Sequence, residues 1–298
     1  MAVESLRTLR RRLRAVKNIR QITRAMEMVA ASKLRRAQAV LMAGRPYAAK
    51  LQELLAHLAE GSALGEHPLF RERQGRRKVL VIFTADRGLS GSFNANIIKQ
   101  AEELLRSEPE TQWQLVCIGR KGRDHFRRRQ WPILESVVGL RGHPELAEAR
   151  RIATLLLDLY NAGRCDSIRL LYSAFISMVV YRPTLVRYLP MSPESLGLKL
   201  DEESERAARN IDYLLEPSAK EVFDAILPRY LSSRIYITMA EVATSEHSAR
   251  MIAMNNATKN CSEMSDALTL RMNKARQNTI TKELLDIVGG AEAQKQGA

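Results

Sequence analysis

The 298-residue sequence predicts an α/β protein with a long antiparallel coiled coil of the N- and C-terminal helices. Between these helices it predicts an inserted open-sheet, Rossmann-like α/β domain. Three observations carry this reading. Leu6, Leu9, Leu13 and Val16 open a helical apolar spacing that persists for about 55 residues. A second helical stretch runs from about Ser218 to Val288, with only Pro228 against it. Between the two, strand-length apolar runs alternate with helix-length amphipathic ones. The expected boundaries are 1–60 and 211–298 for the coiled coil and 76–210 for the α/β domain.

The first helix repeats a 3-4-3 spacing, in Leu6, Leu9, Leu13 and Val16 and again in Ile19, Ile22, Met26 and Val29. A step of three between the groups predicts a break in heptad register. The stretch ITRAMEMVAASKLRRAQ (22–38) has no clean polar face, although an oily helix normally needs burial. Gly44 and Pro46 are expected to bend this helix without ending it, because the apolar pattern resumes at Leu51. Residues 61–77 read as a loop. KVLVIFTADRG then reads as a buried strand, SFNANIIKQAEELLRS as a helix, WQLVCIG as a strand and RKGRDHFRRR as a short helix. PILESVV and SIRLLYS are expected strands around the helix PELAEARRIATLLLDLYNAG, and LLYSAFISMVVY (170–181) reads as a buried strand with flanks. A polar loop over 190–210 returns to the second long helix. There Ala249, Ala253, Ala257 and Cys261 form a row of small side chains suited to close helix packing. Gly289-Gly290 is expected to stop that helix.

The chain carries a formal charge of +14, which implies an acidic partner: nucleic acid, anionic lipid or acidic protein. Residues 1–60 hold 13 Lys/Arg against 4 Asp/Glu, so the charge gathers on the first helix. A DNA-binding coil would instead place one basic region ahead of a clean zipper. Cys117, Cys165 and Cys261 are odd in number and far apart, which suits buried small residues in a reducing compartment. No run reaches the roughly 18–20 apolar residues that span a bilayer. The Arg-rich N-terminus lacks the apolar core of a secretory signal, and the chain is expected to be mature from its first residue.

The loop TADRGLSGSFN lies between a strand and a helix, where a dinucleotide fingerprint would lie. Its glycines, Gly88 and Gly91, do not make GxGxxG, and the next strand ends in the basic CIGRKG with no acidic residue. Turn chemistry explains the loop, and Asp86 reads as a turn or helix-entry carboxylate. GRKG (119–122) matches a GXXG clamp only in its glycines. His57, His67, His125, His143 and His247 are isolated, with no metal-ligand spacing. No nucleophile–base pair emerges, so neither a catalytic residue nor a cofactor is expected.

Taken together, ITRAMEMVAASKLRRAQ, TADRGLSGSFN and RMIAMNNATKN…NKARQNTITKELLDIVGGAEA resemble the gamma subunit family of F-type ATP synthase over essentially the whole chain. The resemblance implies a rotating, non-catalytic shaft within a ring of alpha and beta subunits. It also implies an α/β foot that binds the epsilon subunit and the c-subunit rotor ring. It places the chain at the cytoplasmic side of the inner membrane as a peripheral protein, with no nucleic acid bound and no direct membrane insertion. The redox-sensitive cysteine insertion of chloroplast relatives is missing, which favours a bacterial type. By the same resemblance Met26, Lys33, Arg35, Arg36, Arg250, Arg276, Gln277 and Thr281 meet the alpha–beta ring. Tyr213 and Glu216 in DYLLEP face the rotor ring and epsilon, although Leu215 stands where the family often has Tyr.

One expectation is geometric. If both long helices leave the α/β domain at the same height, with His57 or Leu58 opposite Ser218, equal rise per residue sets the register. Met26 then faces the neighbourhood of Arg250, and residue 1 falls opposite about Ala275. From Arg276 onward the second helix has no partner in its own chain. Ile280, Leu284, Leu285, Ile287 and Val288 are therefore expected to be exposed in the isolated chain.

Overall fold

A computed structural model describes residues 5–61, 67–140, 142–192, 216 and 218–296. Helix α1 spans Leu6–Gly61 and runs through Pro46 without interruption. The middle of the chain supplies β1 (Arg77–Phe83), α2 (Phe93–Ser107), β2 (Gln112–Ile118), α3 (Arg120–Arg128), β3 (Ile133–Val137) and α4 (Leu146–Asn161). Then come β4 (Ser167–Phe175), β5 (Tyr181–Leu189) and the final helix α5 (Ala219–Gln296), which contains Pro228. The chain divides into two compact units, one of residues 1–29 with 251–298 and one of residues 30–250.

In the larger unit the sheet order is β3-β2-β1-β4-β5. The first four strands are parallel and β5 is an antiparallel edge. Strand β1 alternates strictly between two cores, as a period of two requires. Leu80 and Ile82 join Ile97, Ala101 and Leu105 of α2 and Phe126 of α3. Val79, Val81 and Phe83 face the other way, into a core closed by α4 and by both long helices. That core takes Leu51, Leu55 and Leu58 from α1, and Phe223, Leu227, Leu231, Ile235 and Met239 from α5. Further along, Leu41 packs with Ala240 and Phe175, and Arg45 pairs with Glu241 at 3.2 Å.

In the smaller unit the two helices run antiparallel. Leu9 and Leu13 pack on Leu268, Thr258 donates to the Thr23 hydroxyl at 2.9 Å, and Asn255 donates to the Glu27 carboxylate at 2.8 Å. These pairs correct two expectations. Glu27 bonds to Asn255 and Thr23 to Thr258, so Met26 falls opposite about Asn255. The register therefore lies about five residues further along α5 than the expected neighbourhood of Arg250, just over one helical turn. The premise of equal height fails because α1 continues past Leu58 to Gly61. The expected break in heptad register is also missing. The buried line passes from Leu9, Leu13 and Val16 to Thr23, leaving Ile19, Ile22 and Val29 exposed. Polar partners occupy the seam where apolar ones were expected, and the apolar residues face outward.

Two further differences concern ends and turns. Helix α5 continues through Gly289-Gly290 to Gln296. A mid-helix glycine costs only about 1 kcal/mol, and strong helix formers follow here. Within residues 170–181 the buried strand is the end of β4, up to Phe175, and the flank that follows is a turn. Chain reversal occurs over 176–180, where the Ser177 hydroxyl accepts from the Val179 and Val180 amides in place of any glycine. The overhang survives the register shift, because α1 begins at Leu6. Ala275 still packs on the Leu9–Leu13–Leu268 cluster. Ile280, Leu284, Leu285, Ile287 and Val288 are 49–68% exposed.

Leu55 and Leu284 should behave oppositely in the isolated chain. Leu55→Ala empties a fully buried position between α1 and the sheet and should lower stability by about 2–5 kcal/mol. Leu284→Ala should change it by less than about 0.5 kcal/mol. Urea unfolding of the two variants checks both.

Candidate functional site: a filled crevice and an outward apolar surface

In a doubly wound sheet, ligands bind outside the carboxyl ends of the strands, where the strand order reverses. Here that place lies beyond β1, with β2 on one side and β4 on the other. The loops that form it are tied down by local hydrogen bonds. The Thr84 hydroxyl receives the Gly122 amide at 2.9 Å and donates to the Ile118 and Gly119 carbonyls. Asn94 accepts the Ala85 amide at 2.8 Å, and Asp86 accepts the Arg120 and Gly139 amides, each at 3.0 Å. Asp86 is thus the turn carboxylate that the sequence implied. Gly119 has φ +97, and a Cβ there would lie 2.0 Å from the Thr84 carbonyl oxygen, so GRKG owes its first glycine to close backbone packing.

The crevice is filled by the chain itself. Every residue from Val242 to Ala249 of α5 is buried, and this stretch bonds to the surrounding loops. Ser245 donates to the Ser173 carbonyl at 3.2 Å, and Ser248 donates to the Met178 carbonyl. Arg250 donates to Glu246 at 2.7 Å and to the Gly88 carbonyl at 3.2 Å, and also approaches His247 Nδ1 at 3.4 Å. What space remains is small and is lined by Thr84, Asp86, Gly119, Gly142, His143 and Glu246, among others.

The electrostatics follow from burial. Burial pushes Glu246 above the usual carboxylate range; Arg250 and, more weakly, Lys33 oppose that shift, while Asp86 adds to it. His247 is driven down to about 4, first by burial and then by the Arg250 charge. It is therefore neutral, and Nδ1 accepts from Arg250 while Nε2 lies beside Gly142. Burial also lifts the Cys117 thiol to about 12 and the Cys165 thiol to about 11, leaving both unreactive at neutral pH.

The residues named from sequence fall into separate places. Met26 is half-buried on α1 in the smaller unit, where Arg276, Gln277 and Thr281 are exposed on α5. In the larger unit Lys33 is half-buried and close enough to act on Glu246 and His247, whereas Arg35 and Arg36 are exposed. The Arg250 side chain is only 12% exposed. Glu216 is exposed, while Tyr213 lies outside the described residues. Sequence reasoning missed Glu246, Ser245, Ser248 and His247 as a group. The i, i+4 spacing of Glu246 and Arg250 was the available signal, although such pairs are usually solvated. Among the described residues, no group of three or more His, Cys, Asp or Glu could hold a metal.

The larger unit joins segments of both long helices to the α/β domain through their own side chains, and the smaller unit leaves large apolar side chains outward, as in a structural subunit that works within an assembly. The ATP synthase family model matches residues 5–294. The chain is 43% identical to the ATP synthase gamma chain of Pelotomaculum thermopropionicum, covering 97% of this chain and 99% of that one. It is 44% identical to the gamma chain of Moorella thermoacetica, with the same coverage. The chain belongs to the ATP synthase gamma chain family, the non-catalytic rotor shaft of the F-type enzyme. Among solved structures, a chain of the Euglena gracilis mitochondrial ATP synthase (OSCP/F1/c-ring) aligns with a TM-score of 0.66 at 17% identity, covering 98% of this chain and 95% of that one. A chain of the Tetrahymena thermophila central stalk/c-ring structure aligns at 0.59 and 24% identity, covering 79% and 99%. At these identities the structural likeness establishes the fold alone.

The depressed His247 makes a pH prediction. Its folded value lies below the ordinary 6.5, so its contribution to stability is whole above about 6.5 and is lost as pH falls toward about 4. Glu246, shifted upward, contributes in the opposite sense and is common to both proteins compared. Relative to the parent chain, His247→Gln should therefore gain on the order of 2 kcal/mol between pH 7.5 and pH 5. Urea unfolding at several pH values checks this, and a difference independent of pH removes the assignment of a neutral buried His247.

Proposed function

We propose that this shaft couples proton-driven rotation of a membrane c-subunit ring to ATP synthesis or hydrolysis at alpha–beta catalytic sites. In this reading residues 1–60 and 211–298 form the shaft and residues 76–210 the foot. The observation that carries it is the outward apolar surface in the smaller unit. Ile19, Ile22, Met28 and Val29 of α1 and Ile280–Val288 of α5 leave large apolar side chains uncovered by their own chain. Exposed patches of this kind mark surfaces for partners, and a ring of alpha and beta subunits supplies the cover. Met and Ala present soft, shallow relief to a surface that must turn. An asymmetric shaft gives each catalytic site a different face in turn, which shifts affinities by differential contact.

Met26, Lys33, Arg35, Arg36, Arg250, Arg276, Gln277 and Thr281 are the residues proposed to meet that ring. Glu216 and Tyr213 are proposed to meet the rotor ring and epsilon. Among the described residues no helix is long and apolar enough to cross a membrane, which suits a peripheral subunit of a membrane-associated complex. We place it at the cytoplasmic face of the bacterial inner membrane. The rival reading, a nucleic-acid-binding coil, requires affinity that falls steeply with salt. Isolating the native complex and identifying its subunits separates the two.

The cationic cluster provides a direct test. Single exposed ion pairs are worth about 0–1 kcal/mol, so neutralising Lys33, Arg35 and Arg36 together should leave the complex assembled. The protons moved per ATP turned over should nevertheless fall, because acids of the beta subunits lose their cationic counterparts. Measuring proton pumping against ATP hydrolysis in membrane vesicles checks this; an unchanged ratio ends the electrostatic role.

A further inference from the structure

We propose that Arg250 is a positioning residue that acts within its own chain, latching α5 into the crevice of the α/β domain so that helix and domain turn as one body. This deepens the rotor reading and depends on it only for the meaning of the turning.

The geometry is that of a latch. One guanidinium bridges Glu246, four residues back on the same helix, and the Gly88 carbonyl, 162 residues away in the loop after β1. The carboxylate holds the guanidinium in place, since Glu246 is itself nearly buried and its pair lies largely out of water. Arg250 also donates toward Nδ1 of His247, whose other nitrogen abuts Gly142 in the loop after β3. Ser245 and Ser248 fasten the same stretch to β4 and to the turn after it. The helix is thus held by carbonyls or backbone from separate loops on different sides.

A twisting load on the domain passes to α5 across these contacts as well as across the close-packed core, which also transmits strain. Directional hydrogen bonds from several sides add to that resistance. Arg250 differs from Ser245, His247 and Ser248 in carrying a charge, which Glu246 offsets, and in tying the loop that runs into α2. Nη2 serves the carboxylate and the carbonyl while Nη1 reaches His247 Nδ1, and a lysine, with a single ammonium point, lacks the planar fork that spans all three.

The test uses the full chain purified alone, with no partner for Arg250 to touch. Amide hydrogen exchange is read at Arg120 and Gly139, both bonded to Asp86 beside the Gly88 loop. Arg250→Gln should raise exchange there by about tenfold or more. Arg250→Lys should give an intermediate value, which keeps the test open if the Gln variant fails to fold. Glu246→Gln should raise exchange too, and the double variant should add little beyond either single one. In the assembled complex, Arg250→Gln should lower protons pumped per ATP hydrolysed. Unchanged exchange in both isolated Arg250 variants would overturn the latch and leave Arg250 as a partner contact. Failure of the native complex to contain alpha and beta subunits would overturn the rotor reading while leaving the latch intact.

Discussion

Everything in the larger unit depends on one sheet face that no local helix covers by itself. Val79, Val81 and Phe83 of β1 point away from α2 and α3, and α4 closes only part of that side. The remainder is covered by α1 and α5, which contribute Leu51, Leu55, Leu58, Leu227, Leu231 and Ile235 to the same core. Each such side chain stabilises by about 1.5–3 kcal/mol when fully buried. Six of them are together comparable to the whole net stability of a typical domain, so the domain and these helix segments fold as one piece. The division of the chain into compact units reflects this, since the larger unit joins parts of both long helices to the sheet.

The smaller unit obeys the opposite rule. Its seam is narrow, with Leu9, Leu13, Met254 and Leu268 as the buried apolar residues among those described, and polar bonds from Thr258 and Asn255 continue it. A two-helix contact buries one stripe per helix, and here part of that stripe is polar. The apolar residues this displaces lie on the outside. Such a seam suits a part whose order comes from its surroundings, and directional polar pairs fix its register where apolar packing would permit slippage.

How much of this was legible in the sequence depended on how local the signal was. The strands β1 to β4 and helices α2 to α4 follow from periodicity within each segment and appear where expected. The overhang of α5 followed from counting residues, and it survived a register error because α1 starts at Leu6. The heptad phase was misread because Ile19, Ile22 and Val29 look like a seam while Thr23 fills it, and only the Thr258 partner reveals this. The β4–β5 turn carried no glycine or proline, since Ser177 supplies its hydrogen bonds. The crevice contacts were invisible for the same reason: Gly88 and Arg250 are 162 residues apart, and neither has a motif that names the other.

That last contact explains why TADRGLSGSFN resembles a dinucleotide loop and yet is used differently. A strand that ends in a glycine-bearing turn before a helix produces a crevice as a matter of topology, whatever fills it. In nucleotide-binding domains the filling is a ligand, and the turn's backbone groups face phosphate. Here the Gly88 carbonyl accepts from a guanidinium of the same chain. Thr84 and Asp86, which border the same space, are bonded to backbone groups of neighbouring loops. The topology that elsewhere binds an exchangeable ligand here holds a permanent one, a helix of the same chain. A ligand site must release what it binds, whereas a shaft must not slip in its socket. The covalent link between α5 and the domain makes that difference, because the local concentration of the plug never falls.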